Sequence, residues 1–105
     1  MNIPKSIRVG GLPIKIVLDD LSDDECFGYY SHDRKAIFID RSLKGTKLME
    51  TMRHELMEAS LCIGGPAWNE GNETEGFVRC MENIFFPTWD RFQKRMQRPH
   101  PPNKP

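Results

Sequence analysis

The sequence predicts an α+β fold in which a small, mostly antiparallel sheet of two hairpins precedes the helices. Three observations carry this prediction. Apolar and polar residues alternate in the first part of the chain, as in strands with one buried face. From residue 46 the apolar residues recur every three or four positions, as on one face of a helix. The length, 105 residues, suits one ordinary domain, which we expect over 1–97, with a flexible tail over 98–105.

Two hairpins are predicted in the N-terminal part. The first turns at Gly10-Gly11, and its apolar positions are Ile7, Val9, Ile14, Ile16 and Leu18. A glycine pair supplies the positive φ angles that a tight hairpin turn requires. The second hairpin pairs residues 27–30 with 36–39 across the polar turn 31–34. We expect the 36–39 strand to form an edge of the sheet.

Helices are predicted after the hairpins. The first covers about 46–63, and Gly64-Gly65-Pro66 is expected to end it. The second begins after Asn72, because Glu75 three residues later is typical of a capping box. Pro87 is expected to break or kink that helix, since proline lacks the amide hydrogen. A last short helix precedes residues 98–105, where four prolines in eight residues predict an extended tail.

Composition excludes several classes of protein. Lysine plus arginine and aspartate plus glutamate each number 15, so no net positive field favours nucleic acid. No stretch approaches the roughly 18 apolar residues of a membrane helix, and no signal peptide is visible. The three cysteines have neither disulfide nor zinc-finger spacing, which favours a reducing compartment. We therefore expect a cytoplasmic protein, and the residues make no prediction of its oligomeric state.

The pattern with chemical content lies in the middle of the first predicted helix. His54 and Glu58 are four residues apart and therefore project from one face, where both can bind one metal ion. Glu55 stands where helical metallopeptidases carry the carboxylate that deprotonates metal-bound water, as in HExxH. This chain has HExxE instead, and a carboxylate oxygen can replace the second histidine on zinc. His-Glu pairs are also common on solvated helix faces, so the pattern alone is not specific.

The order of segments resembles that of the small zincin-like proteins of phages and mobile elements, related to ImmA/IrrE-type metallopeptidases. The resemblance spans roughly residues 2–86 and rests on five short segments in order: IPKSIRVGG at 3–11, GYY at 28–30, AIFID at 36–40, HELMEA at 54–59 and MENIF at 81–85. Members of that family commonly have HExxH, and some have HExxEA as here. The resemblance implies that His54 and Glu58 are zinc ligands, that Glu55 is the general base, and that Glu75 is the third ligand.

Other residues remain as alternatives in this scheme. Glu75 can instead close the capping box with Asn72, and Glu82, seven residues further on, is an alternative ligand or a partner of a ligand. Glu73 is a weaker candidate for the same role. His32, in the turn of the second hairpin, can approach the site or remain an exposed turn residue.

Two functions follow from this reading of the sequence. The first is a zinc-dependent peptidase, or one using another divalent metal, that acts on a peptide or protein bound as an extended strand. The second is a noncatalytic interaction module with the same fold, because ligand replacement at Glu58 removes activity without removing the fold.

Overall fold

A computed structural model describes residues 3–68 and 73–97, with the backbone alone for 65–68 and 73–75. The strands are β1 (Ser6–Val9), β2 (Leu12–Asp19), β3 (Gly28–Ser31) and β4 (Ala36–Asp40). The helices are α1 (Gly45–Trp68), α2 (Glu73–Cys80) and α3 (Phe86–Gln97), with a π-helical turn at Met81–Phe85 and a 3₁₀ turn at Ser22–Asp24. The predicted α+β fold, strands first and helices after, is confirmed.

The four strands form one mixed sheet in the order β1-β2-β4-β3. Both predicted hairpins are present as antiparallel pairs, and β2 runs parallel to β4. The prediction that the 36–39 strand forms an edge is wrong, because β4 pairs with β2 on one side and β3 on the other. Its four residues 36–39 are all buried, as expected of a strand in the interior of a sheet. The edge strands are β1 and β3.

The first hairpin turn follows its glycine signal. Gly10 and Gly11 have φ angles of +57° and +84°, so both lie in the region that glycine adopts without steric cost. A Cβ added at Gly10 would lie 3.1 Å from Ile63 Cγ2. The turn therefore also packs against α1, which ties the first hairpin to the helix that carries His54.

The core lies between one face of the sheet and the helices. Along α1 the buried face consists of Leu48, Met52, Leu56 and Ala59, and Phe92 and Met96 contribute from α3. The sheet contributes Ile7, Val9, Ile14, Ile16, Ile37 and Ile39. Each large apolar side chain buried in this way contributes roughly 1.5–3 kcal/mol to the free energy of unfolding. Because Leu56 and Ala59 are held in the core, this part of α1 cannot rotate about the helix axis.

The predicted end of α1 is wrong, since the helix continues through Gly64-Gly65-Pro66 to Trp68. The φ angle of proline is close to the helical value, so a helix can continue through it. Proline then destabilises the helix through one lost backbone hydrogen bond and through crowding of the preceding turn. The Asn72 cap and the 98–105 tail lie outside the described residues.

Pro87 lies just after the π-helical turn, and the helix widens there instead of ending. The Phe86 N–H donates to the Met81 carbonyl, five residues back. This wider turn suits a following proline, which has no N–H to donate and whose ring crowds the carbonyl four residues before it. The last helix, α3, is present as predicted.

The two edges of the sheet differ. The edge of β1 is covered by α3, whose Arg95 Nη1 donates to the Ser6 carbonyl at 2.9 Å and whose Arg91 Nη2 donates to the Arg8 carbonyl at 2.7 Å. No strand among the described residues pairs with the outer edge of β3. One edge of the sheet is therefore open to a further strand.

Candidate metal centre

The middle of α1 brings together the residues singled out by the sequence. His54 and Glu58 are one helical turn apart, and the Nε2 to Oε1 distance is 3.1 Å. Both side chains are exposed. They face solvent because Met52 and Leu56, two residues before each of them and therefore on the opposite face of α1, are buried. The pair therefore faces solvent as a preformed nitrogen and oxygen donor set.

Glu55 differs from its two neighbours in burial. It is only 5% exposed, since the next residue of a helix points about 100° away from His54 and so towards the sheet. Its carboxylate accepts a hydrogen bond from the Tyr30 backbone N–H of the open edge strand β3. Its Oε1 has no hydrogen-bond partner among the described residues. A buried carboxylate oxygen without a partner is costly unless a proton or a cation satisfies it.

The environment of Glu55 shifts its titration. Burial raises the pKa of Glu55 to about 7, and the nearby charge of Glu58 adds to the rise, whereas His54 acts in the opposite direction. A carboxyl group that gains and loses a proton near neutral pH is suited to general acid and base chemistry.

The three side chains fit a divalent cation. One ligand atom from each of His54, Glu55 and Glu58 lies within 4.8 Å of the other two. One imidazole nitrogen and carboxylate oxygens are ligands that zinc accepts, and harder divalent ions accept the oxygens as well. The buried Oε1 of Glu55, which has no partner among the described residues, can be satisfied either by a proton or by a cation at this site.

A cavity of about 280 Å³ opens next to this cluster, between α1 and the edge strand β3. Its lining consists of Phe27, Gly28, Lys47, Glu50, Thr51, His54 and Glu55. The Lys47 ammonium lies 4.4 Å from the centre of the Phe27 ring, within the range of a cation–π contact. A molecule in this cavity would therefore touch both the metal-site residues and the open edge of the sheet.

Gly28 allows β3 to lie this close to α1. A Cβ at this position would be 2.9 Å from both the Phe38 carbonyl oxygen and Ile39 Cδ1, and 3.0 Å from Thr51 Cγ2. Real Cβ contacts are longer, so a larger residue would displace β3 from β4 as well as from α1. Gly28 thus sets the width of the cavity beside Glu55.

The remaining candidates have different outcomes. Glu75 lies on α2, but its side chain, like that of Glu73, is outside the described part of the chain, so ligand and cap remain alternatives. Glu82 is exposed in the π-helical turn and, among the described residues, is not in the group of three side chains that could hold a metal ion. His32 is exposed in its turn, where Nδ1 lies 2.9 Å from the Tyr30 hydroxyl.

Sequence reasoning missed the burial of Glu55, its bond to β3 and the cavity lined by Phe27 and Lys47. A signal for the burial was present, because Glu55 lies three residues after Met52 and four before Ala59, which are apolar positions of the helical repeat. The hydrogen bond to β3 has no local signal, because it depends on which strand lies at the edge.

Comparisons with protein-family models, with curated proteins and with solved structures found no match. Among the described residues, no helix is both long and apolar enough to cross a bilayer.

Proposed function

We propose that this chain is a zinc-dependent peptidase or peptidase-like protein of the small zincin type found in phages and mobile elements. The observation that carries the proposal is that ligand atoms of His54, Glu55 and Glu58 lie within 4.8 Å of one another, and that Oε1 of Glu55 is buried without a partner among the described residues. His54 and Glu58 are exposed whereas Glu55 is buried, which suits two distinct roles.

His54 and Glu58 would hold the ion from one face of α1, with Glu75 of α2 as the third ligand. A bound zinc ion supplies an acidified water molecule and polarises a substrate carbonyl. Glu55 is the general base in this scheme. Its pKa of about 7 suits proton transfer at neutral pH. The hydrogen bond from the Tyr30 N–H holds its carboxylate beside the open strand.

The substrate or partner in this proposal is an extended peptide that pairs with β3. The Asp40 N–H donates to the Phe27 carbonyl, and antiparallel pairing alternates, so Gly28 and Tyr30 direct their backbone groups away from β4. The Gly28 backbone groups and the Tyr30 carbonyl can pair with a peptide strand, whereas the Tyr30 N–H is already bound to Glu55. The peptide would then pass the cavity beside His54 and Glu55. This role belongs to β3 and not to the 36–39 strand, which is paired on both sides.

A noncatalytic peptide-binding module is the second candidate, and one observation favours it. His54 Nε2 and Glu58 Oε1 are 3.1 Å apart, so they satisfy each other by a direct hydrogen bond or ion pair. A histidine at position 58 could not form this ion pair with His54. In this candidate the open edge of β3 binds a peptide without cleavage.

Zinc binding by His54→Ala tests the proposal, with His32→Ala as the matched control. Protein purified without added metal would be examined by elemental analysis and then titrated with zinc. We expect the wild type and His32→Ala to bind one zinc ion each, and His54→Ala to lose binding while keeping its circular dichroism spectrum. Equal zinc affinity in all three proteins would reject the metal site. Zinc binding without cleavage of a peptide library would favour the noncatalytic candidate.

A further inference from the structure

A second, larger cavity lies at the N-terminal end of α1. It has a volume of about 720 Å³ and is lined by Ile3, Lys5, Leu18, Arg41, Leu43, Lys44, Gly45 and Leu48. These residues come from the N-terminal segment, the end of β2, the loop after β4 and the first turn of α1. The cavity shares no lining residue with the one beside His54. Its volume is within the range of small-molecule sites.

The lining combines an apolar wall with positive charge. Leu48 is buried at 5% exposure, whereas Leu18 remains 47% exposed, so the cavity has an apolar floor and an apolar surface open to a ligand. The charged lining residues are Lys5, Arg41 and Lys44, all cationic. The chain as a whole has equal numbers of acidic and basic residues. Three cations without an acid in one lining are therefore a local feature.

The cations are available to a ligand. The side chains of Lys5 and Lys44 form no ion pair with any residue in the described part of the chain. Arg41 has one, in which Nη2 lies 3.9 Å from Asp19 Oδ1, with both side chains more than half exposed. Such a long, exposed contact contributes little, but the charge of Arg41 also acts on Asp20 and Asp40, so Lys5 and Lys44 are the cations best placed to hold an anion.

We propose that this cavity binds an anionic amphiphile, a small molecule with a carboxylate on a hydrocarbon chain. The hydrocarbon chain lies against Leu18, Leu43 and Leu48, and the carboxylate is held by the cations at the rim. Burial of the chain supplies most of the affinity. The charge complementarity decides which end lies outward and excludes cationic amphiphiles. The proposal is independent of zinc at His54.

Decanoate is the probe that tests the charge. Its binding to the zinc-free protein would be measured by calorimetry below the concentration at which micelles form. Decanol tests the chain without the charge, decyltrimethylammonium tests the opposite charge, and inorganic phosphate tests an anion without a chain. We expect decanoate to bind at least about tenfold more tightly than each of the other three. Equal binding of decanol or decyltrimethylammonium would overturn anion recognition, and equal binding of phosphate would overturn the apolar contribution.

Matched variants test the location. Leu18→Asn alters the cavity wall, and Leu12→Asn, at the other end of β2 and 40% exposed, is its control. Lys44→Gln removes a rim charge, and Lys15→Gln, exposed on β2 and outside the lining, is its control. We expect each cavity variant to weaken decanoate binding about tenfold and each control to leave it unchanged. Unchanged binding in both cavity variants would overturn the proposal. Thermal unfolding of all four establishes that they fold, and Leu18→Ala replaces Leu18→Asn if that variant does not.

Discussion

Replacing Glu55 by glutamine should change how the stability of the metal-free protein depends on pH. Burial raises the pKa of Glu55 to about 7 in the folded state, compared with an ordinary value of 4.5. Between these two values the folded state binds more protons than the unfolded state. The free energy of unfolding therefore falls as the pH rises through this interval.

The magnitude follows from the size of that interval. A difference from 4.5 to about 7 corresponds to ~3 kcal/mol, lost between pH 4.5 and pH 8. In Glu55→Gln the side chain is neutral at every pH, so this contribution disappears. The variant should then be more stable than the wild type at pH 8 and close to it at pH 5.

Urea unfolding in the presence of EDTA, at pH 5 and pH 8, measures this difference. Glu50→Gln is the matched control, because Glu50 is on the same helix and lines the same cavity but is exposed. If Glu55→Gln shows the same change in stability with pH as the wild type, Glu55 does not have a raised pKa and the account of its burial is wrong.

Two further predictions concern Glu58 and Gly28. Glu58→His should tighten zinc binding, because imidazole is a better donor to this ion than carboxylate. Glu58→Ala should weaken it. Equal zinc affinity in the wild type and both variants would exclude Glu58 as a ligand. New peptide cleavage by Glu58→His would identify the natural protein as an inactive relative of a peptidase. Gly28→Ala should lower the free energy of unfolding by roughly 1–3 kcal/mol, because its Cβ would lie 2.9 Å from the Phe38 carbonyl oxygen and Ile39 Cδ1. Urea unfolding would measure this, and unchanged stability would show that β3 can shift relative to β4 without cost.

The parts of the fold that depend on local sequence could be predicted. The Gly10-Gly11 turn needs two positive φ angles, and glycine is the residue that supplies them. The pairing of His54 with Glu58 depends only on the helical repeat of α1. Both are determined by residues a few positions apart, so the sequence pattern contains them.

The parts that depend on distant residues could not. The parallel pairing of β2 with β4 decides which strand is at the edge. The unbroken apolar run at 36–39 indicates an interior strand, but these residues do not show which strands lie on either side of it. Gly64-Gly65-Pro66 is a local signal for a helix end that α1 does not follow. The cavity beside Glu55 requires β3 to lie against α1, which is a tertiary contact.

Anomalous diffraction at the zinc edge, from crystals of the zinc-loaded protein, tests the central claim most directly. The account predicts a single strong anomalous peak, at which a zinc ion is bonded to His54 Nε2 and to a Glu58 carboxylate oxygen at about 2.0–2.2 Å. We expect the third ligand to be a carboxylate oxygen of Glu75. If Glu82 is found in that place instead, the third ligand is wrong but the metal centre stands. A peak at another position, or no peak in protein shown to be folded, would contradict the claim that this helix carries a metal centre.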